Sequence, residues 1–203
     1  MRIGIFGGTF DPPHIGHISA CKAFLEHVEI DVLYIIPVYM PPHKNISSGT
    51  DECDRLEMSR RAFEPLSDKV FVSDLEIKRG GRSYTADTIK QIKSENENAE
   101  IFFLCGTDMI LTMDCWYKPE YIFANATIVY ARRESETEIT EKIAEKCELY
   151  KQKFGAHIIY TENNAIEASS TEIREAVIKN DNASGLLSKA VYDYIKEKNL
   201  YKS

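Results

Sequence analysis

Apolar and polar positions alternate along this chain in blocks. Short runs rich in β-branched and aromatic residues at 3–6, 31–37, 70–73, 101–105, 127–131 and 157–161 read as strands. Longer stretches with helical spacing lie between them, near 15–28, 51–64, 85–95 and 136–154. Two further helices, 171–179 and 188–198, close the chain. Several strand runs are continuously apolar, as expected of strands covered on both faces. This alternation predicts an α/β fold, a doubly wound, mainly parallel, Rossmann-like sheet with C-terminal helices. Right-handed crossovers would bring the carboxyl ends of the strands, and the loops after them, to one edge. The polar stretch 93–100 reads as a helix end and loop, not a linker. Residues 1–203 are therefore expected to form a single domain, with a helical C-terminal part at about 170–203.

Composition narrows the partners more than the fold. A length of 203 residues suits one domain with a sizeable core. The net charge of −7 argues against bulk attraction to nucleic acid or an anionic membrane, so small molecules are the expected partners. No apolar run approaches membrane-spanning length, and the first strand begins at once with no signal-peptide pattern before it. The cysteines at 21, 53, 105, 115 and 147 are odd in number, scattered and without a C-x-x-C pair. That disfavours a disulfide framework or a zinc site and points to the reducing cytoplasm. The oligomeric state stays open, a homo-oligomer included.

The chemistry concentrates first in residues 2–17. Gly7-Gly8 predicts a sharp turn after the first strand, where backbone can approach a ligand with no Cβ in the way. Thr9 adds a hydroxyl and an N–H at the rim, and Phe10 follows it. Asp11-Pro12-Pro13 reads as a rigid corner, with proline suited to the first helical position. A helix starting near Ile15 would face the loop with its positive dipole end. His14 and His17 are spaced to share one face of its first turn, and imidazole can donate to a phosphate oxygen. No G-x-G-x-x-G is present, which disfavours a dinucleotide fingerprint.

Other motifs follow later strands. Pro41-Pro42-His43-Lys44 is a stiff loop whose lysine can present a point charge to a phosphate. Ser169 and Glu172 fit a capping box on a helix whose hydroxyls and N–H groups form an anion site within reach of Arg174. Ser83-Tyr84-Thr85 opens a helix after Gly80-Gly81 and reads locally as an N-cap with a packed tyrosine. After the fourth strand comes Gly106-Thr107-Asp108, where Asp108 either caps a helix or bonds a ribose hydroxyl. Trp116, the single tryptophan, fits a core position or a ligand platform.

Thr9, Pro12, His14, Gly16 and His17 together resemble the T-x-x-P-x-H-x-G-H signature of the nucleotidyltransferase superfamily. His14-Ile15-Gly16-His17 also spells the box of class I aminoacyl-tRNA synthetases. Against a synthetase stand the short chain, no K-M-S-K-S-like loop and no room for an anticodon domain. In order and spacing the whole set resembles the bacterial nicotinate-nucleotide adenylyltransferase family. The resemblance implies attack of the nicotinate mononucleotide phosphate on the α-phosphorus of ATP. Pyrophosphate leaves, deamido-NAD forms, and no covalent enzyme intermediate arises.

By the resemblance, the catalytic groups are His14, His17, Lys44 and Arg174. ATP is held by Gly7, Gly8, Thr9, Phe10, His14, Gly16, His17, Gly106, Asp108, Arg132, Ser170, Thr171 and Arg174. The mononucleotide meets Thr9, His43, Lys44, Tyr84, Thr85, Asp108 and Trp116, with its carboxylate at the helix end near Thr85. Magnesium is expected with ATP, held through phosphate oxygens and water rather than by protein ligands. One departure stands out: the family's Arg-Pro-Gly-like turn is here Arg132-Arg133-Glu134, which keeps only the arginine. Alternative readings are a nicotinamide mononucleotide enzyme, a non-catalytic nucleotide-binding module and a pantetheine-phosphate enzyme, the last disfavoured by His14.

Overall fold

The computed structural model describes residues 1–42, 50–131, 137–161, 168–179 and 183–201. The chain runs β1 (Arg2–Gly8), α1 (Ile15–His27), β2 (Val32–Pro37), α2 (Glu52–Phe63) and β3 (Val70–Val72). It continues through α3 (Leu75–Arg79), α4 (Thr85–Glu95), β4 (Glu100–Cys105), α5 (Thr107–Thr112) and α6 (Pro119–Asn125). β5 (Thr127–Ala131), α7 (Thr137–Phe154), β6 (Ile158–Thr161), α8 (Ser170–Ile178) and α9 (Lys189–Lys198) complete it. Every predicted strand and helix is present within a few residues. The short helices α3 and α6 have no counterpart among the predicted segments, and α5 follows Gly106, where a helix was one of two readings.

The strands form one sheet in the order β3-β2-β1-β4-β5-β6, with every pairing parallel. The order reverses between β1 and β4, and a ligand crevice belongs at such a switch point. Alternate strand residues feed two cores. Phe6, Leu33, Ile35, Leu104 and Val129 pack on one face with Phe24 of α1, Met58 of α2, Ile173 of α8 and Val191 of α9. Ile5, Ile36, Phe103 and Ile128 pack on the other with Ile89 of α4, Ile110 of α5, Ile122 of α6 and Tyr150 of α7. Gly4 sets how closely α1 approaches the sheet. A Cβ there would lie 2.8 Å from both Phe24 and Leu33.

The glycine pair corrects one expectation. Gly7 and Gly8 do not turn; they extend β1 and pair with Ile36 and Pro37. The chain turns at Phe10, which adopts φ 49°. Glycine is needed at position 8 because a Cβ would meet the Phe10 ring at 2.8 Å. The prolines also lie outside the helix, since His14 is the N-cap of α1 and Ile15 its first residue.

Candidate active site

A cleft of about 560 Å³ opens at the carboxyl ends of β1 and β4. Residues from both ends of the chain line it. From the first motif come Gly7, Gly8, Thr9, Phe10, His14 and His17; from the last come Ser170, Thr171 and Arg174. Tyr84, Thr85, Asp108 and Trp116 line it as well. Two predicted residues stand back from the wall. Gly16 is buried in the first turn of α1, and Gly106 is the buried N-cap of α5. His43, Lys44 and Arg132 lie outside the described residues.

The two imidazoles are stacked, with ring centroids 3.7 Å apart and planes tilted by 32°. Phe10 closes the other side of His17 edge-on at 5.2 Å. The His14 backbone N–H donates to His17 Nδ1 at 3.2 Å. An accepting Nδ1 leaves the proton of neutral His17 on Nε2, so the ring carries a donor on its other edge. His14 is 2% exposed, and His17 is the more open of the pair. Above Gly7 the space is clear, since a Cβ there would find its nearest neighbour, Ile36 O, 4.0 Å away. The backbone N–H groups opening α1 and the His17 donor make this end of the cleft suited to an anion.

The N-terminus of α8 faces the same cleft. Ser169 caps it, accepting from the Thr171 N–H at 3.3 Å; this is a simple N-cap to the second residue of the helix, and the expected capping box with Glu172, which is exposed, does not form. Arg174 donates to the Asp11 carbonyl at 2.7 Å and to Thr171 Oγ1 at 3.1 Å, and Ser170 donates to the Pro12 carbonyl at 3.0 Å. These bonds tie the first and last motifs into one frame, which the sequence could suggest only through the resemblance.

Tyr84, not Ser83, is the N-cap residue of α4, and no side chain caps that helix. Ser83 Oγ instead accepts from the Tyr39 N–H at 2.9 Å. Asp108 does not cap α5, whose N-cap is Gly106; it stands exposed on the first turn. Trp116 is half-buried, 6.2 Å edge-on from Phe103, with its indole N–H directed to Thr112 Oγ1 at 3.4 Å. Tyr84 and Tyr117 stack beside it at 4.5 Å. The cleft thus has a polar, anion-facing end and an aromatic end.

Sequence reasoning missed three supporting residues. Arg55, buried on α2, donates to the carbonyls of Val38 at 2.5 Å, Thr9 at 3.3 Å and Tyr39 at 3.3 Å, holding the loops after β1 and β2. Burial pulls its guanidinium below its ordinary value, against the charge of Asp11. An arginine at helical spacing with Met58, Ser59 and Ala62 was the available signal. Glu76 of α3 lies under the first turn of α4, with Thr88 donating to it at 2.5 Å. The third, Tyr201, donates to Asp11 Oδ1 at 2.7 Å beside Thr50, which donates to the same oxygen at 2.7 Å. Burial and the Asp11 charge push the Tyr201 phenol well above its ordinary value, so it stays a donor. Tyr201→Phe is expected to cost about 1–3 kcal/mol, the range for leaving a buried charged acceptor short of one partner. A thermal-unfolding midpoint equal to wild type would contradict that support.

The chain belongs to the cytidylyltransferase-like family, which it matches over residues 5–176. Two curated relatives are named "Probable nicotinate-nucleotide adenylyltransferase". One, from Borreliella burgdorferi, is 35% identical over 203 residues, covering 99% of this chain and 97% of the relative. The other, from Exiguobacterium sibiricum, is 34% identical over 202 residues, covering 99% of each. These likenesses place it in the nicotinate-nucleotide adenylyltransferase branch. The fold matches Plasmodium falciparum nicotinic acid mononucleotide adenylyltransferase, solved complexed with NaAD, with a TM-score of 0.76. Identity there is 20%, with 98% of this chain and 97% of that one covered, and the match bears on the fold.

Proposed function

We propose that this chain joins ATP to nicotinate mononucleotide, giving nicotinate adenine dinucleotide and pyrophosphate, in keeping with relatives named as nicotinate-nucleotide adenylyltransferases. The observation that carries the reading is the convergence of His14 and His17 at one helix N-terminus with Ser170, Thr171 and Arg174 at another, across a single cleft. Two such ends match a substrate with a chain of phosphates better than one with a single anion.

The mononucleotide phosphate attacks the α-phosphorus of ATP in line, and pyrophosphate leaves. His17 Nε2–H meets the charge developing on the transferred phosphoryl group, and His14 lies stacked against it. Arg174, with Ser170 and Thr171, takes the β- and γ-phosphates and stabilises the leaving group. Thr9 and the Gly7-Gly8 backbone line the passage between the substrates. Catalysis consists of alignment and charge stabilisation, and no side chain forms a bond to the adenylyl group.

Magnesium bound with ATP would neutralise triphosphate charge. Among the described residues no group of three or more His, Cys, Asp or Glu is placed to hold a metal ion; the ion would be held by phosphate oxygens and water. His43 and Lys44 remain assigned to the mononucleotide phosphate, and Arg132 to ATP, by resemblance. The pyridine ring stacks at Trp116, and its carboxylate meets the N-terminal end of α4 at Thr85. Among the described residues no helix is long and apolar enough to cross a membrane, and no disulfide joins the cysteines. The second observation supports the proposal of a cytoplasmic enzyme.

Incubation with ATP, magnesium and nicotinate mononucleotide is expected to give the deamido dinucleotide by mass, with one pyrophosphate for each. Labelled pyrophosphate should not exchange into ATP when the acceptor is left out. Folded protein that binds ATP and forms no dinucleotide would point to the non-catalytic alternative. Exchange without acceptor would contradict direct transfer.

A further inference from the structure

Glu76 is an acid where the proposed chemistry has no use for one. The residue is 5% exposed yet lines the cleft, beside Thr85, Thr88 and Tyr84. Oε1 accepts from Thr88 Oγ1 at 2.5 Å and lies 3.7 Å from Arg79 Nη2. Oε2 is enclosed and accepts no well-formed hydrogen bond among the described residues, with the Ser83 hydroxyl as a further donor acting on the carboxylate. An ionised carboxylate so placed is incompletely satisfied against its burial, at the end of the cleft where the acceptor's own carboxylate is proposed to sit.

We propose that Glu76 is a specificity-determining residue that acts across the cleft wall on the acceptor's ring substituent. Neutral, it leaves the N-terminal end of α4 open to a carboxylate; ionised, it opposes that carboxylate and shifts preference toward a carboxamide. The inference rests on the function proposed above. Its chemistry is simple. A carboxylate offers only acceptors, so it tolerates a neutral carboxylic acid and is repelled by a second anion. A carboxamide carries no charge and adds N–H donors that an ionised Glu76 attracts.

The groups facing Glu76 are few. Arg79 on its own helix carries the nearest opposite charge, shared with Thr88 Oγ1 at 2.9 Å and Gln91 Oε1 at 3.3 Å. Ser83 on the turn and Thr88 on α4 are hydroxyl donors, and the Tyr84 phenol lines the same cleft. Asp87 also stands on the first turn of α4, and the charge that acts on Glu76 is that of Arg79. Burial raises the Glu76 carboxyl above its ordinary value, against the hydrogen bonds of Ser83 and Thr88 and the charge of Arg79. The neutral form therefore persists to higher pH than for a free carboxyl, and the gate closes as pH rises through the raised value.

The test compares kcat/KM for nicotinate mononucleotide and its amide in wild type and Glu76→Gln between about pH 5 and 9. The acceptor phosphate and the pyridinium are common to both substrates, so their ratio cancels them. In wild type the acid-to-amide ratio is expected to fall about tenfold or more as pH rises, mainly through KM for the acid. Glu76→Gln, which keeps an acceptor for Thr88, should hold a flat ratio. Parallel profiles in the two proteins would overturn the proposal alone and leave Glu76 a structural role. Wild type that turns over neither mononucleotide would overturn the parent reading and this one with it. Should the variant not fold, titration calorimetry on wild type in buffers of different ionisation enthalpy decides. Above the Glu76 ionisation, binding the acid should take up more proton than binding the amide, and equal uptake would contradict the gate.

Discussion

His17→Asn lowers kcat for adenylyl transfer by about 10²–10³-fold while leaving the fold in place. That is the usual effect of removing one donor aimed at developing charge. The choice of asparagine follows from the geometry. Its carboxamide oxygen can stand where Nδ1 stands and accept the His14 N–H, now bonded at 3.2 Å, so the cap of α1 is kept. It has nothing at the position of Nε2, so the donor to the phosphate is lost. His17→Ala should lose the same rate and also stability, because the contacts with the His14 and Phe10 rings go with it. Rates that fall equally, with unfolding midpoints that separate the two variants, support this division of labour. Full activity in His17→Asn would remove Nε2 from the mechanism.

Arg174→Lys is expected to cost about 10²-fold or more in kcat/KM for ATP, although charge is conserved. Arg174 holds its place by a fork, one nitrogen on the Asp11 carbonyl and one on Thr171 Oγ1. Lysine offers a point charge that cannot fill both positions and still face a phosphate. The loss should appear for ATP and much less in the KM of the mononucleotide, since Arg174 stands at the α8 end of the cleft. A loss confined to the mononucleotide would exchange the two substrates' places in the cleft.

The parts of the site that lay open in the sequence are those whose residues act where they stand. His14 and His17 are three apart at a helix start, so spacing alone puts them on one turn. Thr171 and Arg174 repeat that relation at the start of α8. The sheet was equally readable, because strands covered on both faces leave runs such as Ile101 to Cys105 that are apolar throughout. The turn was not. Gly7-Gly8 is as compatible with a strand end as with a bend, and the left-handed residue is Phe10, whose ring fills the space over Gly8. Helices α3, α5 and α6 span five to seven residues, too short for a helical period to declare itself. Arg55, Glu76 and Tyr201 owe their roles to partners far along the chain, as Tyr201 does to Asp11 across 190 positions. No local pattern encodes such a contact.

The most direct test of the account is pyrophosphate release with ATP and magnesium, comparing nicotinate mononucleotide with its amide at equal concentration. Pyrophosphate and the deamido dinucleotide are expected in equal amounts with the acid, and kcat/KM for the amide lower by at least about tenfold, the scale of one mismatched polar contact at a binding site. Equal turnover of the two would contradict the placement of the acceptor carboxylate at Thr85 and Trp116. No release with either, from folded protein that binds ATP, would contradict the adenylyl transfer itself.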